Sequence, residues 1–99
     1  MARKHNTDRN GGSWSEVKKK DVWNKGQTIP DYSAETWRKD KCGKTIKWEE
    51  HGNRESTNGW EIDHIDPVAN GGGDELSNLQ PLQWKNNADK ADSLTWKCP

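Results

Sequence analysis

Ninety-nine residues with a formal net charge of zero make one domain near the lower size limit. Only 27% of the chain is hydrophobic and 32% is charged, a balance that by itself points to disorder. Seven tryptophans argue otherwise, because each can bury roughly 200 Å² and stand in for several small side chains. No long apolar stretch or secretory leader is evident, which excludes a membrane span and points to a cytoplasmic protein.

The charge is unevenly spread. Residues 1–47 carry 12 Lys+Arg against 6 Asp+Glu, whereas residues 48–99 carry 4 against 10. A basic half suits a polyanion and an acidic half suits a cation; an ordinary solvated surface would look the same. Two cysteines, Cys42 and Cys98, are too few for a disulfide framework, and the expectation is that both are reduced.

Residues 1–12 (MARKHNTDRNGG) hold no apolar side chain beyond Met1 and Ala2 and read as a flexible basic arm, leaving residues 13–99 as the single domain. Ser13 or Ser15 can cap a helix over residues 13–25, with Gly26 at its end and Trp14, Val17 and Val22 facing inward. Its Lys18-Lys19-Lys20 run could touch phosphates or simply face water. Residues 34–41 read as a short helix with Trp37 inward, residues 45–48 as a brief strand, and residues 51–59 as a polar loop. Residues 60–65 form a strand by their β-branched and aromatic content, ended by Asp66-Pro67. A glycine-rich turn follows at residues 70–74, then a strand at residues 79–83 that Pro81 confines to an edge. A helix runs from Gln83 or Trp84 to Asp92, so the last forty residues read strand, loop, strand, helix.

The chemistry concentrates there, in Asp63-His64-Ile65-x-Pro67, then Gly71-Gly72, Asn78-Leu79, Leu82 and Asn87-x-x-Lys90. Around the last helix Trp84, Ala88 and Ala91 form an apolar stripe that should face the strands, and Asn87 borders it. An amide aimed inward needs a partner, and the first strand offers Asp63 or His64. An Asp carboxylate and an Asn carbonyl suit a hard cation. Two ligands cannot enclose one, but magnesium keeps several waters and takes the rest from phosphate. Neutral His64 can accept a proton from water as general base. Adjacent strand residues point to opposite faces, so Asp63 and His64 would need a twist or bulge to serve one phosphate. Asn78 is placed to hold the loop backbone. Arg38, Lys39, Arg54, Lys85 and Lys90 are candidate phosphate contacts, though each alone could be a plain surface charge. Asp66 and Asp74 read as turn residues, His5 and His51 as exposed ones.

The run GWEIDHIDPVANGGGDELSNLQPLQWKNNADK resembles the HNH endonucleases, the ββα-metal nuclease family, over about residues 59–90, and WRKDKCG at residues 37–43 is a weaker likeness to the segment preceding the hairpin. The resemblance implies an α+β fold, a ββα-metal hairpin-plus-helix core at about residues 59–92 with additional N-terminal helices. It implies Asp63 and Asn87 as ligands of one divalent ion, Mg²⁺ or Mn²⁺, with His64 as general base and Asn78 as the loop-bracing asparagine. The implied function is hydrolysis of double-stranded DNA, by nicking or cutting, with low intrinsic sequence specificity or with targeting borrowed from a protein partner. Many members pin this region with two cysteine pairs around zinc. Here Cys42 stands alone upstream and Gln83 and Asn86 occupy the downstream positions, so no structural zinc is expected and tryptophan packing around Trp84 should replace it. An RNase, a toxin-type nuclease and a non-catalytic nucleic-acid-binding module are the alternatives.

Overall fold

A computed structural model describes residues 4–99; residues 1–3 of the expected arm lie outside the described residues. Helix α1 spans Glu16–Trp23 and starts at Ser15, whose hydroxyl accepts the Lys18 N–H at 3.1 Å. Only its last turn is buried, through Val22 and Trp23, and Val17 is exposed rather than inward.

The expected second helix is absent from residues 34–41. Strand β1 (Trp37–Lys39) instead pairs antiparallel with β2 (Thr45–Lys47), Arg38 opposite Ile46. Local turn chemistry decides this. Asp40 Oδ1 accepts the N–H groups of Cys42 and Lys44, both at 2.9 Å, and Gly43 adopts φ +83°, which a helix cannot accommodate. Among the described residues one α-helix, not two, therefore precedes the later strands.

Strand β3 (Trp60–His64) pairs antiparallel with β4 (Leu79–Gln83), and α2 (Trp84–Lys90) follows directly. The fold is mixed α+β. The register is one to one from Trp60↔Gln83 to His64↔Leu79, so the expected bulge at Asp63 and His64 does not exist. Every residue of β3 is buried, because its two faces meet different partners. Trp60 and Ile62, with Leu79 from β4, join Val22 and Trp23 of α1 and Ile46 of β2 in the apolar core. Glu61 and Asp63, on the other face by strand alternation, meet side chains of α2.

That second face is polar, and it overturns the apolar stripe. Ala88 and Ala91 are exposed, while Asn86 and Lys90 are buried. The interior holds three buried carboxylates, Asp40, Glu61 and Asp63. Buried acceptors need donors, and α2 turns its amide and ammonium edge toward them.

The expected anchor at Trp84 is likewise corrected. Trp84 is half-buried, with its indole N–H on Ser56 O at 2.8 Å, whereas Trp23, Trp48 and Trp60 pack on one another with ring centroids 5.1–5.9 Å apart. Fully buried Asp40 takes the pinning role. Besides its own turn, Asp40 Oδ2 accepts Gln83 N at 2.9 Å and Asn86 Nδ2 at 3.0 Å. One carboxylate thus joins the β1–β2 turn to the start of α2, through the two residues that replace the second cysteine pair. The cysteines are not reduced either: Cys42 and Cys98 form a disulfide that ties the C-terminal tail to the same turn. Their Cα atoms, 56 positions apart in sequence, lie 5.4 Å apart, within the range a disulfide spans. Among the described residues no helix is long and apolar enough to cross a membrane.

Candidate active site

The site is built on the edge of β3 that β4 does not cover. Pro81 sits opposite Ile62 and has no N–H to offer, so the polar backbone groups of Trp60, Ile62 and His64 turn outward. Ile62 N donates to Asn6 Oδ1 at 2.8 Å, Trp60 O accepts Gly52 N at 2.8 Å, and His64 O accepts Lys90 Nζ at 2.9 Å. A polar cleft of about 210 Å³ runs along this edge, lined among others by Asp63, His64 and Asn87. It has room for several waters.

Asp63 and His64 do point to opposite faces, and both residues line the cleft, although the His64 side chain is almost fully enclosed. Asp63 Oδ2 accepts Gln80 Nε2 at 2.8 Å from the facing position of β4, and its Oδ1 lies 3.3 Å from Lys90 Nζ. Burial pushes its carboxyl above the ordinary range, and the Gln80 hydrogen bond and the Lys90 charge offset part of that rise. His64 lies on the α1 face. Its Nε2 is 2.7 Å from Asp74 Oδ1, and the Trp14 ring flanks it with centroids 5.6 Å apart.

Asn87 does not bond to Asp63 or His64 as expected. Its Nδ2 donates to Glu61 Oε1 at 2.8 Å. Glu61, fully buried, also takes two hydrogen bonds from Arg54, both 2.8 Å, and lies 3.5 Å from His5 Nε2. Burial alone would raise its pKa, but the hydrogen bonds from Arg54 and Asn87 and the neighbouring positive charge outweigh it and hold Glu61 below the usual carboxylate value. Among the described residues the Asn87 amide is held through its nitrogen alone, and nothing hydrogen-bonds its carbonyl oxygen.

Asn78 grips the loop between the strands. Its Oδ1 accepts Asp66 N at 2.8 Å, and its Nδ2 donates to Asp66 O at 3.1 Å and Gly73 O at 2.9 Å. The loop is also fastened to α1 and the chain beyond it, by Lys18 Nζ on Asp74 O and by Lys25 Nζ on Leu76 O and Leu79 O.

The basic candidates are scattered. Arg54 lines the cleft while paired with Glu61. Lys85 is exposed, its ammonium 5.5 Å from the Trp84 ring centroid. Arg38 is committed to the carbonyls of Ala34, Asn24 and Gly26, and Lys39 lies on the β1–β2 hairpin away from the cleft. Lys90 is not at the surface; its ammonium is interior, between Asp63 and the backbone of His64. His5 is exposed as expected. His51 is half-buried, with its ring 4.7 Å from that of Trp60, and burial together with the Lys19 charge pushes its pKa down to about 4.

Three functional candidates escape sequence reasoning. Glu61 could have been found, since it stands two residues before Asp63 on the same strand face. Asp74 carries no local signal of its role, because its histidine lies 10 positions away, and Asp40 signals only its own turn, since its contacts to Gln83 and Asn86 lie 43 and 46 positions away.

A family model described as HNH endonuclease matches residues 40–92. No curated protein and no solved structure matches the chain. The matched span covers more than half of the 99 residues and includes Asp63, His64, Asn78 and Asn87; the chain belongs to the HNH endonuclease family.

Proposed function

We propose that this protein is a divalent-metal-dependent endonuclease that hydrolyses DNA phosphodiester bonds, with β3, β4 and α2 as its ββα-metal core. The observation that carries the reading is the meeting of Asp63, His64 and Asn87 along one polar cleft, from positions 23 or more residues apart for the helix residue.

Among the described residues there is no cluster of three or more His, Cys, Asp or Glu that could cage a metal. The donor set is a sparse one, and it fits a hard cation that keeps most of its waters. Asp63 would supply a carboxylate oxygen and Asn87 its carbonyl oxygen. A bound Mg²⁺ or Mn²⁺ would neutralise charge developing on the phosphate. The residues do the rest. His64 takes a proton from the water that attacks phosphorus, a contribution of roughly 10²–10⁴ in rate. Glu61 fixes the Asn87 amide through its nitrogen, and Lys90 keeps Asp63 paired inside the fold. Arg54 and Lys85 are the cations placed to meet the backbone of the nucleic acid. Asn78 fixes the loop on which the His64 side of the cleft rests.

Plasmid nicking with Mg²⁺ or Mn²⁺ tests the proposal. Activity should vanish in His64→Ala while DNA binding persists, and Asp63→Ala or Asn87→Ala should abolish the response to metal. Equal cutting by wild type and His64→Ala would sink the reading. Parallel assays on duplex DNA, single strands and RNA decide the substrate, and binding without cutting on all three would mark a non-catalytic module.

A further inference from the structure

Resting on the hydrolytic role proposed for His64, we infer that Asp74 is its positioning residue. The Asp74 carboxylate fixes the imidazole with its proton on Nε2, which leaves Nδ1 as the atom that receives a proton from water.

The contact is 2.7 Å between His64 Nε2 and Asp74 Oδ1. An ionised carboxylate only accepts, so the nitrogen facing it must be the one that carries hydrogen. Among the described residues nothing hydrogen-bonds Nδ1. In the opposite tautomer Nδ1–H would itself be a donor, unable to receive anything from water until the ring had turned over.

Asp74 is held for this task from three directions. Lys18 of α1 donates to its backbone carbonyl at 3.1 Å. Arg9 N donates to its carboxylate at 3.1 and 3.3 Å. Asn78 holds the carbonyl of the preceding residue, Gly73, at 2.9 Å. Only glycine fits at position 72 of this turn, since a Cβ there would sit 1.8 Å from Asp66 O. Trp14 closes the far side of the ring. The bracing by Asn78 thus reaches the reaction through two covalent neighbours, Gly73 and Asp74, and one hydrogen bond. In the step itself the water oxygen forms the bond to phosphorus. Its proton passes to Nδ1, and the leaving oxygen departs with the electron pair of the broken P–O bond.

The test is ¹⁵N NMR of the full, histidine-labelled chain without metal or nucleic acid, at a pH where the His64 ring is neutral. The expected wild-type signature is a protonated Nε2 and a bare Nδ1 at His64. In Asp74→Ala the two nitrogens should move toward an average of tautomers and nicking should fall about 10–100-fold, with cooperative melting kept. A wild-type ring with its proton on Nδ1, or already averaged, overturns the inference without recourse to any variant; so does an unchanged signature in Asp74→Ala. If the Nε2–H signature is present but no nucleic acid is cut, the contact stands and the hydrolytic reading fails separately.

Discussion

Replacing Asp40 by alanine should be among the most damaging single changes in this protein, although the residue lies outside the cleft. Its carboxylate is fully buried and accepts four hydrogen bonds, at 2.9–3.0 Å, from Cys42 N, Lys44 N, Gln83 N and Asn86 Nδ2. The first two donors sit in a turn that water can reach, and their loss costs little. Gln83 and Asn86 are 4% and 3% exposed, so their donors would be stranded. Each stranded donor costs roughly 1–3 kcal/mol, giving about 2–6 kcal/mol in all. A domain of this size has about 5–15 kcal/mol to lose, and the midpoint of thermal unfolding should drop by about 8 °C or more. Asp40→Asn keeps one acceptor oxygen but aims an amide donor at another donor, so it should fall between wild type and alanine. Urea unfolding followed by tryptophan fluorescence, with the disulfide intact in all three proteins, measures the differences. A loss below about 0.5 kcal/mol for Asp40→Ala would refute the assignment of this carboxylate as the pin between the turn and α2.

Three further outcomes are expected. Glu61→Gln should cost about 1.5–3 kcal/mol at neutral pH, the range for hydrogen bonds to charged groups. The folded-state pKa of Glu61 lies below its ordinary 4.5, so this stability is full above pH 4.5 and disappears as pH falls through the folded value; denaturation of both proteins across pH 3 to 7 should show the gap closing at the acid end. Cys98→Ser, or reduction, opens a link between residues 56 apart and should lower stability by at most about 4 kcal/mol, read as a shift in the urea midpoint with and without reductant. His51, whose pKa falls from 6.5 to about 4 on folding, binds a proton more readily when unfolded, so stability should decline as pH drops between those values. The slope should stay below about 1.4 kcal/mol per pH unit because the ring is partly solvated, and it should flatten in His51→Asn.

What the sequence made legible was what local rules govern. The β-branched and aromatic content of residues 60–65, the Asp66-Pro67 break, the glycine turn and the helix start at Gln83 or Trp84 each speak through residues close to them, and strand, loop, strand, helix follows. The misreadings arose where a distant partner outweighed the local signal. The exception is residues 34–41, which have the composition of a short helix, where a nearby signal was missed: the Asp40 turn and pairing with β2 draw Trp37–Lys39 into a strand. The 3.6-residue period of Trp84, Ala88 and Ala91 gave the wrong inner face to α2, since the interior that receives this helix is lined with carboxylates rather than with carbon. Lys90 looked like a surface cation for the same reason. Asp74 looked like one more turn residue, because nothing in its neighbourhood announces a histidine ten positions earlier.

The uncovered side of β3 has a consequence beyond catalysis. A strand with a bare flank is a template on which a second chain can add itself, and such flanks are a common start of aggregation. Here the three outward-facing backbone positions are met by unrelated groups: a loop amide from Gly52, a side-chain carbonyl from Asn6 and an ammonium from Lys90. None of these is a strand, and none offers a continuous ladder to an incoming one. An incoming strand would have to displace all three of these contacts before it could extend the sheet.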